Sequence, residues 1–325
     1  MNFTIEMSNP ETSGVSRIRI LTIQLVLDTI FLSKNHSNRH FGKYFNAKCT
    51  TGVHSLFIME NLLKVAIIQT DLVWENAEQN RISFSKKINA ISSPVDLIVL
   101  PEMFTTGFSM NPTEIAETMD GKTILWLIAL AKEKNTAITG SLIIKEPPND
   151  ETSDPNYYNR LVFVFPTGKI ETYDKRHTFT LADEDKVYTA GNKKLIIDYK
   201  GWKICPLICY DLRFPVWARN TENYNLLIYV ANWPKPRINA WNALLKARAI
   251  ENMCYCIGVN RIGLDNNGYE YTGSSTIYDS LGKKITTTEP NKVSIKIIAL
   301  NKEELLKTRK KFQFLDDKDD FTLNI

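Results

Sequence analysis

The sequence is short of cysteine and lacks a long uninterrupted apolar run, a strong excess of one charge, a repeat and a low-complexity tract. Five cysteines in 325 residues is an odd count, whereas a secreted disulfide scaffold uses more, and in pairs. The composition points to a reducing, cytoplasmic compartment. Lys and Arg number 40 against 36 Asp and Glu, a net charge of only +4. That excess is too small for a nucleic-acid-binding surface. The one apolar run, residues 18–32, is interrupted by Arg19, Gln24 and Asp28 and is too short to span a bilayer. It also makes a poor secretory signal, because Glu6 and Glu11 stand where such a signal needs basic residues. No solenoid period is present, which excludes repeat architectures. What remains is a chain of ordinary globular make-up, 43% hydrophobic and 23% charged.

Residues 1–58 differ from the rest. They hold six basic side chains against three acids, and so carry three of the four net charges. The segment reads as an N-terminal extension, poorly ordered or a start-site artefact, with translation beginning at Met59 directly before an evident first strand. The rival reading is a basic arm or a targeting extension. Residues 59–325 show no Pro- or Gly-rich linker and are expected to form one catalytic domain.

Continuous apolar runs at 62–69 and 95–100 predict strands buried on both faces. Helical spacing covers 76–91 and 124–134, with a strand at 136–145 and a polar loop at 147–155. Thr167-Gly168 and Lys200-Gly201 are hairpin turns, joining 158–166 to 169–173 and 194–198 to 202–209. Beyond Cys209 the pattern predicts a helix at 213–222, a strand at 225–231 and a helix at 238–252. Late strands follow at 254–260, 270–278, 284–288 and 293–298. Strands alternating with helices early and hairpins later give a mixed α/β fold, with two sheets packed face to face and helices outside.

Three positions carry chemistry. Cys209 ends an apolar strand where a helical turn begins, and the N–H groups there favour a thiolate and can donate to an oxyanion. The competing reading is a small buried hydrophobe, which suits Cys205, Cys254 and Cys256 inside apolar strands. Glu102 lies just past a buried strand, where apolar neighbours can raise a carboxyl into general-base range, or where it could simply cap a helix. Lys175, in Tyr173-Asp174-Lys175-Arg176-His177, could steady a thiolate and then an oxyanion, or belong to a solvated basic turn.

Taken together, Pro101-Glu102, Tyr173-Asp174-Lys175-Arg176-His177 and Ile208-Cys209-Tyr210-Asp211-Leu212-Arg213-Phe214-Pro215 resemble the nitrilase (carbon–nitrogen hydrolase) superfamily in order and approximate spacing, from about residue 63 to residue 321. The resemblance implies a four-layer α-β-β-α sandwich and a Glu-Lys-Cys triad. Glu102 is then the general base, Lys175 the oxyanion stabiliser and Cys209 the nucleophile, with Glu184 matching a second, structural glutamate. Cys209 to Trp217, Tyr229-Val230-Ala231-Asn232-Trp233-Pro234 and Lys246 to Asn252 further resemble the omega-amidases, which hydrolyse 2-oxo acid amides. That likeness implies a small-molecule amide substrate, a homodimer, and no metal or organic cofactor. One departure is Thr178, where relatives usually carry Leu. It is a wall position that bears on packing rather than chemistry.

For acyl transfer from an amide, Lys175 and the backbone N–H of Tyr210 would hold the oxyanion. A substrate carboxylate needs a cation, and the candidates are Arg213, Lys235, Arg237 and Arg248; Arg offers the bidentate match. Trp233, Phe104 and Phe108 could wall the pocket, with Arg213, Trp233 and Phe108 favoured as the substrate-binding set. The rivals are a zinc site from Cys205, Cys209, Cys254 and Cys256, an inactive nitrilase-like binding module, and another amidase or carbamoylase with the same triad.

Overall fold

The computed structural model describes residues 61–148 and 154–324. The expectations for residues 1–58 lie outside them. The chain divides into two units, Met1–Phe57 and Ile58–Ile325, and the second holds every element below.

Its strands are β1 (Leu62–Gln69), β2 (Leu97–Val99), β3 (Ala137–Glu146), β4 (Asn156–Val164), β5 (Ile170–Asp174), β6 (Ile197–Tyr199), β7 (Trp202–Ile208), β8 (Leu226–Ala231), β9 (Tyr255–Asn260), β10 (Ile262–Leu264), β11 (Glu270–Thr272), β12 (Thr276–Tyr278), β13 (Lys284–Thr287) and β14 (Ser294–Asn301). The longer helices are α1 (Ala77–Asn89), α2 (Lys122–Lys134), α3 (Ile238–Glu251) and α4 (Lys302–Phe312). One sheet runs β14-β1-β2-β3-β4-β5 and the other β13-β12-β9-β8-β7-β6, while β10 and β11 pair separately. In each sheet a parallel trio, β1-β2-β3 or β7-β8-β9, is flanked by antiparallel strands.

Two-residue alternation builds the layers. Val65 and Ile67 of β1 join the core shared with the second sheet, while Ala66 and Ile68 join a separate core under α1 and α2. β2 divides the same way, with Leu97 and Val99 on one side and Ile98 on the other. Each of the fully buried Val, Leu and Ile side chains among them contributes about 1.5–3 kcal/mol. α1 starts where the Asn76 side chain accepts from Gln79 N at 3.0 Å, and it buries Asn80, Phe84 and Ile88 four residues apart. α3 presses Trp241 and Leu245 so close to β9 that a Cβ on Gly258 would lie 2.3 Å from Leu245 Cδ1. The result is the four-layer α-β-β-α sandwich.

Three local expectations are corrected. Residues 213–222 are not one helix. A 3₁₀ turn, Cys209–Arg213, passes at Pro215 into the short helix Pro215–Ala218, because proline suits a helix start but not its interior. The run 270–278 splits into β11 and β12 at Gly273 and Ser274, both with positive φ. β14 is longer than the run 293–298, and α4, which follows it, escapes sequence patterning because it buries only Leu305.

Candidate active site

Three parallel strands deliver the site at their C-terminal ends, where open α/β sheets place their reactive groups. Glu102 follows β2, Cys209 follows β7 and Asn232 follows β8, while Lys175 follows β5. Both Met103, next to Glu102, and Cys209 itself have left-handed backbone, with φ of 41° and 42°. That conformation costs a side-chain-bearing residue about 1–2 kcal/mol, so the surrounding contacts must hold it.

Glu102 is wholly buried. Its Oε1 accepts from Lys175 Nζ at 3.0 Å and Asn159 Nδ2 at 2.8 Å, and its Oε2 accepts from Asn232 N at 2.7 Å. Asn232 also donates Nδ2 to the Glu102 carbonyl at 2.8 Å. Lys175 Nζ lies 2.9 and 2.8 Å from the two oxygens of Glu184. Glu184 Oε1 shares the Asn159 amide at 3.1 Å, and its Oε2 accepts from Phe179 N at 2.6 Å. Two carboxylates and one ammonium, held by neutral N–H donors from Asn159, Asn232 and Phe179, thus form one buried charge group at the edge of the cavity.

Burial alone would drive Lys175 neutral. The Glu102 and Glu184 carboxylates reverse this and hold the ammonium well above its ordinary range. Burial pushes Glu184 up, and Lys175 pulls it back only in part. The Cys209 thiol is pushed well above its usual value by burial and then by the Glu102 carboxylate, while Lys175 acts in the opposite sense. At neutral pH Cys209 therefore rests as a thiol, with the Glu102 carboxylate in the same buried group. From below, α3 fixes the turn that carries Cys209, as Arg248 Nη2 donates to Leu212 O at 2.6 Å.

Cys209 and Lys175 border a cavity of about 610 Å³. Its walls include Trp74, Phe108, Phe179, Tyr210, Trp233 and Tyr271. Arg213 and Arg237 also face it, the first lying over the Trp233 ring at 5.0 Å and the second over the Phe179 ring at 5.1 Å. Among the described residues neither guanidinium has an acidic partner. Two acids also line the cavity, and neither pairs with an arginine there. Asp265 accepts from Tyr271 Oη, Asn267 N and Tyr269 N, and Glu75 accepts from Ser109 Oγ.

Glu102, Lys175, Cys209 and Glu184 therefore meet, and Tyr210, Arg213, Trp233 and Phe108 line the adjoining cavity. Three other candidates are corrected. Arg248 falls on the same helical face as Trp241 and Leu245, is 3% exposed, and bonds Leu212 and Glu251 instead of lining the cavity. Lys235 points to the surface and pairs with Glu270 at 2.8 Å. Phe104 is core, edge-on to Phe84 at 5.4 Å. Cys205, Cys254 and Cys256 are fully buried free thiols, and among the described residues no three metal-ligating side chains converge. Asn159 and Asn232 are site residues that sequence reasoning missed. The signal for Asn159 was an amide in a strand otherwise rich in apolar residues, where asparagine is disfavoured.

The chain matches the model of a family described as carbon–nitrogen hydrolase over residues 64–310. It is 41% identical over 261 residues to the omega-amidase YafV of Escherichia coli K12, covering 80% of this chain and 98% of that protein. It is 34% identical to the 2-oxoglutaramate amidase of Bacillus subtilis, covering 67% of this chain and 83% of the relative. Among solved structures, the Xanthomonas campestris CN-hydrolase superfamily protein XC1258, with an arsenic adduct in its active site, superposes with a TM-score of 0.76 at 36% identity, covering 81% and 99% of the two chains. Saccharomyces cerevisiae Nit3, of the nitrilase superfamily, shares the fold at 23% identity and a TM-score of 0.68, covering 78% and 94%.

Proposed function

Because the chain belongs to the carbon–nitrogen hydrolase family, we propose that it is an omega-amidase. It hydrolyses the terminal amide of 2-oxo acid amides, such as 2-oxoglutaramate and 2-oxosuccinamate, to the 2-oxo dicarboxylate and ammonia. The observation that carries the substrate class is the pair of arginines, Arg213 and Arg237, that have no acidic partner among the described residues and face the same cavity as Cys209. A substrate carboxylate supplies the missing anion. The two relatives named for amidase activity support this choice.

Glu102 takes the Cys209 proton as sulfur attacks the amide carbon. The carbonyl oxygen becomes an oxyanion, held by Lys175 Nζ and by the Tyr210 N–H, which lies at the start of a 3₁₀ turn where N–H groups lack a partner within the turn. Glu102 then gives its proton to the departing nitrogen, ammonia leaves, and a thioester remains on Cys209. Water delivers a proton to Glu102 and its oxygen to the acyl carbon. The second tetrahedral adduct collapses to the carboxylic acid and the thiolate; the thiolate recovers its proton from Glu102, and the acid gives its own to ammonia or solvent. Lys175 keeps its charge throughout, because the Glu184 carboxylate stays against it even while Glu102 carries the proton. Glu184 holds Lys175 in place. Trp233 and Phe108 pack the substrate chain between the arginines and the thiol. No step calls for a metal or organic cofactor.

The same reading takes residues 59–325 as the catalytic domain and residues 1–58 as dispensable to it. Four free thiols in the domain suit a reducing, cytoplasmic setting. No helix among the described residues is long and apolar enough to cross a membrane. The half-exposed Ile250 and Leu281 suit burial in a homodimer.

The test is ammonia release from 2-oxoglutaramate, 2-oxosuccinamate and glutamine by the wild type, Cys209→Ala and Arg213→Ala. Turnover of the oxo amides, abolished in Cys209→Ala, is expected. Losing a charge-assisted contact worth about 1.5–3 kcal/mol should raise KM roughly 10- to 150-fold in Arg213→Ala. Silence on all three compounds by the folded wild type would overturn the substrate class and move it to another amide or a carbamoyl compound.

A further inference from the structure

Asp211, two residues after the nucleophile, is fully buried and accepts four hydrogen bonds. Oδ2 accepts from Ile208 N at 3.0 Å and from Tyr173 Oη at 2.7 Å. Oδ1 lies 3.0 Å from His177 N and 2.8 Å from His177 Nδ1. Tyr173 Oη itself accepts from Trp217 Nε1 at 3.0 Å and Arg176 N at 3.2 Å, so its own proton goes to Asp211. The donors come from two places. Ile208 ends β7 directly before Cys209, and Tyr173 and His177 belong to the segment that carries Lys175.

Spacing gives this its meaning. Tyr173 lies in β5, Lys175 follows the strand directly, and the chain bends at Arg176 and His177, so the three residues stand close together on one short segment. The outer two grip Asp211, and the middle one reaches Glu102 and Glu184. A rigid link therefore runs from the strained Cys209 backbone through Asp211 to both sides of Lys175. His177 is further braced face to face on Phe214, with ring centroids 3.7 Å apart and planes 3° apart.

We propose that Asp211, gripped by Tyr173 and His177, is the positioning residue that sets Lys175 against Cys209. This rests on the amidase reading of the site. Asp211 never meets substrate and acts by fixing the relative place of nucleophile and oxyanion donor. Asp211→Asn keeps the shape but turns one N–H group toward donors. His177→Leu removes one donor at a partly exposed position, while His177→Asn restores an amide donor near the place of Nδ1.

The experiment measures kcat and KM for 2-oxoglutaramate, thermal unfolding, and the pH profile of Cys209 alkylation by iodoacetamide, in the full chain. Asp211→Asn should lower kcat at least 30-fold and His177→Leu about tenfold, with KM within threefold. His177→Asn should return to within threefold of wild type. Alkylation should move to higher pH in the first two variants, because the thiol loses the steadying ammonium. Thermal shifts with unchanged kcat and an unchanged alkylation profile would overturn the proposal and leave Asp211 merely structural. Should Asp211→Asn not fold, the His177 pair and Tyr173→Phe decide by the same readouts. Alkylation needs no substrate, so a wild type that ignores 2-oxoglutaramate would refute the activity while the positioning role is still judged.

Discussion

Glu102→Gln changes one atom in the middle of the buried charge group, and its consequences can be worked out. Glu102 accepts from Asn232 N on one oxygen and from Asn159 and Lys175 on the other. A glutamine side chain must turn its NH₂ toward one of those donors, leaving a buried donor unpaired at a cost of about 1–3 kcal/mol. For a domain of this size that is a loss of roughly 2–4 °C in Tm for each kcal/mol. The larger loss is in rate. A positioned general base contributes typically 10²–10⁴-fold, so kcat should fall about a thousandfold, equivalent to about 4 kcal/mol in the barrier. KM should change little, because no wall of the cavity moves. The thiol should respond the other way. Glu102 is one of the causes that raise Cys209, so removing its charge should make the thiol more acidic and shift alkylation by iodoacetamide to lower pH. The assay pairs ammonia release with that alkylation profile. A variant that keeps kcat within tenfold of wild type, or whose thiol becomes harder to ionise, would refute the placing of Glu102 as proton acceptor for Cys209.

Asn159→Asp puts a third carboxylate within hydrogen-bonding distance of Glu102 and Glu184 beside a single lysine, so mutual repulsion should move the acidic limb of the kcat–pH profile to higher pH; an unmoved limb would show the amide to be neutral packing. Gly191→Ala would place a Cβ 2.2 Å from the Asp174 carbonyl, next to the Lys175 backbone, and should cost about 1–3 kcal/mol of stability, read as a lower urea midpoint. The fully buried thiols of Cys205, Cys254 and Cys256 all sit above their usual range, so the unfolded chain gives up these protons first. Above about pH 8.5 the unfolded state binds fewer protons than the native state, and stability should fall as pH rises, by up to about 1.4 kcal/mol per pH unit for each group. A Tm constant from neutral pH through this range would contradict that burial. A protein beginning at Met59 should keep full activity, and an inactive or insoluble product would assign the extension a role in the fold.

The sequence alone determined the elements whose reasons are local. The buried strands β1, β7 and β8 announce themselves as apolar runs, and Thr167-Gly168 and Lys200-Gly201 mark hairpins because a turn needs those residues wherever it occurs. It also determined which side chains carry reactive groups, since a thiol, a lysine and a carboxylate each placed just past a strand are visible in order along the chain. What it left undecided depends on long-range geometry. Arg213 and Arg248 are both candidate cations by residue type, yet the turn aims one into the cavity while helical periodicity drives the other against the sheet. Asn159 and Asn232 become site residues only because β4 and β8, from opposite sheets, bring them onto the same buried carboxylate. Asp211 looks like one polar residue in a motif until tertiary contact joins it to Tyr173 and His177, more than thirty positions away. Local pattern settles which segments are strands and which residues can react. The packing of two sheets decides which charges lose water and must find one another, because only burial makes an unpaired charge costly.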